Sequence, residues 1–154
     1  MAVRTREDLL ALVDSEWQGL MALLEGLPEE ELLRPGAVGR WSARDLLCHI
    51  ATWEEEFMAA APIILENRPL PRYGSIDAFN ARDMERWRGL SLAEAWQRAR
   101  DTHLRLLECL QSLPYVPGRT ESRLRRSLRW DTWGHYQEHA AHLREWRRDL
   151  MSYT

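Results

Sequence analysis

The sequence contains no lysine, so all 21 of its basic residues are arginine. A Walker-type phosphate lysine, a Schiff-base lysine and a lysine nucleophile all need an amine that arginine cannot supply, and those mechanisms are excluded together. Cysteine is scarce as well. Cys48 and Cys109 permit at most one internal disulfide and no four-cysteine zinc site, which leaves a reducing cytoplasm as the simplest expectation. Nowhere do about 18 apolar residues run together, and the first residues, MAVRTREDLL, turn charged at once, so neither a membrane span nor a signal peptide is expected. There is no Gly-rich phosphate loop, no Cys-x-x-Cys and no Gly-x-Ser-x-Gly elbow. No stretch alternates strictly enough for a strand, and no internal repeat or low-complexity tract stands out.

The 154 residues, 45% hydrophobic and 29% charged, have the size and composition of one globular domain spanning 1–154. A formal net charge of -3 argues against a protein that binds nucleic acid with its whole surface, and nucleic acid is not an expected partner. The charge is unevenly spread. Arginines 119, 123, 125, 126 and 129 face the single acid Glu121 between them, whereas the first 31 residues hold eight acids against two arginines. The arginine-rich run reads as a solvated connector facing an acidic neighbour or partner subunit, with an anion contact as the alternative. The opposite charges of the two segments motivate an expected homodimer.

Four long stretches carry helical period, each with a start signal. Thr5 precedes acids suited to a helix N-terminus, and an apolar stripe from Leu9 to Leu24 ends at Gly26 and Pro28, predicting a helix over 5–26. Ser42 to Asp45 resembles a capping box ahead of Leu46, His49, Ile50, Trp53 and Phe57, predicting a helix from 42 to about 62 or as far as 67. Ser91 to Glu94 is a capping box for a helix over 91–112 whose stripe includes Trp96, Leu104, Leu107 and Leu110. Asp131 can cap the last, over 131–151, where Trp133, Tyr136, Ala140, Leu143, Trp146 and Leu150 recur every three or four positions. A proline-rich segment around 67–74 separates the second and third, followed by a shorter helix near 76–88, and 114–130 shows little period of its own. The expected fold is an all-α four-helix bundle with long crossover connections. Trp17, Trp53, Trp96, Trp133 and Trp146 occupy core-like positions, and an aromatic-lined pocket for a planar ligand is the alternative use.

His135 and His139 lie four residues apart, rotated by only about 40° on one helix, so both imidazoles can reach one point. Such a pair holds transition metals because the helix fixes the separation of two borderline-soft lone pairs. His49 can supply a third ligand from a facing helix, and three histidines would leave positions open for water or substrate. His142, three residues after His139, is a rival ligand but lies farthest from the apolar arc. Asp45 and Asp131, each four residues before a histidine, can orient a ring, although both also have capping roles. Glu54, Glu55, Glu56 and Glu138 are possible acid or base partners, most of them expected to be solvated. Cys48 beside His49 points about 100° away and reads as a structural thiol.

Three segments, WSARDLLCHIATWEEEF at 41–57, FNARDMERWRGLSLAEAW at 79–96 and DTWGHYQEHAAHLREW at 131–146, resemble the DinB/YfiT-like superfamily of bacterial four-helix bundles, in particular its branch related to ClbS and DfsB. The resemblance implies a bundle with a long crossover, frequent dimerisation, and a divalent metal, often zinc or nickel, held by His49, His135 and His139. Some members of the family resemble thiol transferases using low-molecular-weight thiols, and ClbS-like members are associated with resistance to a genotoxic electrophile. The expected function is accordingly a metal-dependent enzyme that adds a thiol or water to a small electrophile, the competing one a non-catalytic bundle that sequesters a planar or apolar small molecule.

Overall fold

The structure, a computed structural model, describes residues 5–153. Among these residues every regular element is a helix, and the only strand-like feature is an isolated bridge between Val38 and Trp41. In chain order the helices are α1 (Arg6–Ala22), α2 (Glu29–Leu33), α3 (Ala43–Leu65), α4 (Ile76–Trp87), α5 (Leu92–Ser112), α6 (Arg119–Asp131) and α7 (Trp133–Ser152). The four long helices expected from the sequence are α1, α3, α5 and α7, and the expected short one is α4. Three start where local hydrogen bonding sets them. Thr5 with Asp8, Ser42 with Asp45, and Ser91 with Glu94 each close a reciprocal capping box that satisfies two otherwise orphaned backbone donors.

The structure departs from the sequence reading in three places. The segment after Pro28 winds into the short helix α2 rather than a plain turn. The arginine-rich segment is not a connector but the helix α6, packed on α3 and α7. Only Glu121, Leu124 and Leu128 of α6 are buried, and with a glutamate among so few inward positions the apolar period is too short to read. Lastly, Asp131 does not cap the final helix; it is the last residue of α6. The break falls at Thr132, whose hydroxyl donates to the Leu128 carbonyl at 2.6 Å while its backbone leaves helical space at φ -130°, ψ -102°. Gly134 lets the two helices meet this closely, since a Cβ there would lie 2.7 Å from the Arg129 carbonyl oxygen.

The acidic N-terminal segment and α6 do meet, within the chain and with the signs reversed. Arg6 pairs with the buried Glu121 at 2.8 Å, and Arg125 holds the other carboxylate oxygen at 3.0 Å. Of the five tryptophans expected in the core, only Trp17 is fully buried; Trp96, Trp133 and Trp146 pack against the core from its edge, and Trp53 is half-buried beside the histidines. Leu104, placed on the apolar stripe of α5, is 60% exposed.

The centre of the bundle is polar. Glu54, on the same line of α3 as Ile50, Phe57 and Ala61, is completely buried. Its Oε1 accepts from the Tyr136 hydroxyl of α7 at 2.5 Å and lies 3.0 Å from Nδ1 of His103 on α5. His103 is itself buried, stacked on Trp17 with ring centroids 4.1 Å apart, and its Nε2 reaches Asp14 of α1 at 3.0 Å. One connected network thus joins α1, α3, α5 and α7. Burial pushes the Glu54 carboxyl above the usual range, opposed by its bonds to His103 and Tyr136 and by the charge of Arg98. Removing one donor from a buried acceptor costs about 1–3 kcal/mol. Tyr136→Phe, which keeps the ring and deletes only the hydroxyl, is expected to lower stability by about that amount. The measurement is the shift of the urea midpoint at unchanged slope.

Candidate metal centre

His49 comes from the middle of α3, and His135 and His139 from the first two turns of α7. The three donor atoms lie within 4.8 Å of one another. Nε2 of His135 is 2.8 Å from Nε2 of His49 and 2.9 Å from Nε2 of His139. A ring nitrogen carries either a proton or a lone pair, so His135 cannot donate to one of these neighbours while accepting from the other. A cation among them would satisfy all three lone pairs at once. Nitrogens bound to one zinc at about 2.1 Å stand roughly 3.0–3.4 Å apart, so the two spacings around His135 need to open by only a few tenths of an ångström.

Burial sets the protonation of these rings. His49 is held down to about 2 by desolvation, then by His135 and His139; His135 to about 3 by desolvation and His139, opposed by the Asp131 backbone; His139 to about 4 by desolvation and His142. All three are neutral at pH 7 and present lone pairs, which is the state a metal requires. Nδ1 of His49 and of His139 is buried without a hydrogen-bond partner and that of His135 has only the Asp131 backbone near it, so no carboxylate orients these rings. Asp45, expected to orient His49, is instead engaged by the Ser42 backbone and by Arg44. Asp131 takes a bond from Ser127 at 3.5 Å, and its carboxyl is pushed up to about 7, chiefly by burial and then by Glu56.

Two tryptophans flank the triad. Trp41, which immediately precedes the cap of α3, sits 4.4 Å from the His49 ring and 6.5 Å from that of His139. A tight turn places it: Trp41 N–H donates to Val38, and the amides of Gly36, Ala37 and Val38 all donate to its carbonyl. On the other side Trp53 lies 6.2 Å from His135 and continues into Tyr73 and Phe79 at 5.8 and 5.1 Å. The Trp53 indole donates to Asn80, and the Tyr73 hydroxyl donates to Glu56 at 2.6 Å, so the proline-rich segment and α4 are pinned beside the centre.

The structure brings His49, His135 and His139 together and leaves the rival outside: His142 is exposed, its ring 5.6 Å from that of His139. Glu54, expected with the solvated acids, is buried in the core, whereas Glu55 pairs with Arg98 and Arg105, and Glu138 is exposed. Cys48 is buried with its thiol pushed up by desolvation, as a structural thiol should be. Sequence reasoning missed Trp41, Tyr73 and Phe79. A tryptophan directly before a capping serine is the one local signal that could have found Trp41.

The model of the DinB superfamily matches residues 12–153. The chain belongs to the DinB superfamily. Its fold is similar to that of a solved structure described as the sibling lethal factor precursor DfsB, with a TM-score of 0.80 at 13% identity over 97% of this chain and 98% of that one. An uncharacterised protein from Escherichia coli UTI89 follows at 0.78 and 15%, over 95% and 94%. The colibactin self-resistance protein ClbS, solved in complex with a dsDNA, gives 0.74 and 13%, over 94% and 96%. No curated protein matches the chain.

The lowered histidine values make stability pH-dependent. Unfolded, each ring takes a proton near its ordinary value of 6.5; folded, the three wait until about 4, 3 and 2. The unfolded state therefore binds more protons below 6.5, and the stability held above that pH is lost as it falls toward 4 and lower. Asp131 works the other way over the interval below 7. The histidine share is thus a difference between variants: in chelator, His139→Leu is expected to flatten the fall in unfolding free energy between pH 6 and 4.5 by up to about 1.4 kcal/mol per pH unit.

Proposed function

We propose that this chain is a metal-dependent enzyme of the detoxification type, adding a thiol or water to a small electrophile at His49, His135 and His139. The observation that carries the reading is the convergence of the Nε2 atoms of three neutral histidines from two helices, beside two tryptophans. A divalent ion held there, zinc or nickel, supplies Lewis acidity and lowers the pKa of a thiol or water. The residues around it do the remainder. Trp41 and Trp53 offer flat apolar faces beside it, which suits a planar or apolar electrophile over a charged one. Tyr73, anchored on Glu56, extends that wall outward.

The likeness in fold to ClbS, described as a self-resistance protein, supports the detoxification class. A low-molecular-weight thiol as co-substrate fits a cytoplasmic setting, as do two cysteines that stay free. The aromatic wall also suits a second reading, a bundle that sequesters a planar molecule without turning it over.

Metal content and turnover separate the two. In protein purified without a histidine tag, His49→Ala, His135→Ala and His139→Ala are each expected to lose most of the bound metal, while His142→Ala keeps it, all at matched helical signal. Thiol consumption against a panel of electrophiles should then stop on chelation. Tight ligand binding that chelator leaves untouched, with no turnover, would select the sequestering bundle. A site emptied by His142→Ala and full in His49→Ala would show that the ligand set is wrong.

A further inference from the structure

Helix α6 turns Glu121, Leu124 and Leu128 inward. At 100° per residue, Arg119, Arg126 and Trp130 then fall within about 30° of the opposite direction, with Arg123 some 20° farther round. Arg119, Arg126 and Trp130 are exposed, Trp130 keeping 75% of its surface in solvent, whereas Arg123 is half-buried and donates to the Arg68 carbonyl at 2.7 Å. Both acids of α6 are spent elsewhere: Glu121 is buried under Arg6 and Arg125, and Asp131 lies at the helix end beside Ser127 and Glu56. The outward face is left with positive charge and one large flat ring. On a chain of net charge -3, this is a local exception that the whole-molecule charge conceals.

Folding does not account for the exposed indole. Burying a tryptophan removes some 150–250 Å² from water, a gain Trp130 forgoes. Nor does the face suit a bilayer, which needs an apolar stripe where α6 offers a single ring. Guanidinium groups are weakly hydrated forks that match phosphate oxygens, and an exposed tryptophan between them can stack on any base. Arg126 and Trp130, one turn apart, stand about 6 Å from each other along the helix, which lets a phosphate and its neighbouring base be held together.

We propose that the outward face of α6 binds nucleic acid, with Arg119 and Arg126 on phosphates and Trp130 stacked on an unpaired base. The surface is independent of the histidine centre and persists when metal is removed.

The experiment is fluorescence anisotropy of the full chain with a labelled oligothymidylate and with a duplex of equal length, at two salt concentrations and with chelator present. Arg119→Gln combined with Arg126→Gln should weaken the single strand at least tenfold. It should also reduce the magnitude of the log–log salt slope by roughly 1.4, about 0.7 for each phosphate that no longer has an arginine on it. Trp130→Ala should weaken the single strand by about 5- to 100-fold and the duplex less than twofold. Arg148→Gln, an exposed arginine on α7, is the control and should change nothing. All three are surface changes, and helical signal confirms the fold. Absence of binding at the lower salt, binding indifferent to the arginine pair, or equal loss on both nucleic acids in Trp130→Ala would each overturn the proposal. Competition by polyglutamate as effective as by oligonucleotide would overturn it too, marking the face as a dock for an acidic protein.

Discussion

A carboxyl group buried at the centre of a helical bundle is costly unless it is hydrogen-bonded, and Glu54, bonded through Oε1 while Oε2 has no partner, ties every long helix to that requirement. Its partners come from α5 and α7, and His103 passes the constraint on to Asp14 of α1. Apolar side chains tolerate small slips because their contacts are non-directional. A hydrogen bond with a preferred length and angle does not. The network therefore fixes how the four helices are rotated about their axes, beyond what burial of leucines achieves.

The histidine centre depends on that rotation. Glu54 lies five residues after His49 on α3, and Tyr136 directly follows His135 on α7, so the bond between Glu54 and Tyr136 and the contact between His49 and His135 belong to one interface. With α3 and α7 held in register, three imidazoles meet at a point where water is scarce, and desolvation keeps them neutral. The aromatic surround rests on a second polar device. Buried Asp83 of α4 accepts from Thr52 and from the Trp87 indole, Arg98 lies over the Trp87 ring at 3.9 Å, and Arg44 bonds the carbonyls of Trp87 and Leu90. These contacts clamp α4 to α3 and α5, and so hold Phe79 and Asn80 against Trp53.

Arginine carries every positive charge in this chain, and its uses differ with depth. Arg44 and Arg98 act as partly buried forks that satisfy backbone carbonyls, Arg147 closes the open end of α1 at Leu23, and Arg119 and Arg126 on the outer face of α6 project into solvent. A compact, strongly hydrated ammonium would serve the first two roles poorly.

Adjacent residues dictate whatever depends on neighbours within a turn or two. Thr5, Ser42 and Ser91 set three helix starts through their own capping boxes, the apolar stripes named the four long helices, and the four-residue spacing of His135 and His139 put two rings on one face. The pairing with His49 was legible because it, too, lies on a stripe that must face inward. Long-range packing settled the rest. Glu54 looked like one of three consecutive surface acids, since nothing local reveals that its partners wait 49 and 82 residues away. The inward glutamate of α6 is met by Arg125 one turn on and by Arg6, 115 residues distant, and the second of these partners no local pattern reveals. Trp41, in a turn without periodicity, became a wall of the histidine centre through the way that turn folds back on α3. Local hydrogen bonding and periodicity are written in adjacent residues, but the partner of a buried charge or an aromatic ring is chosen by packing.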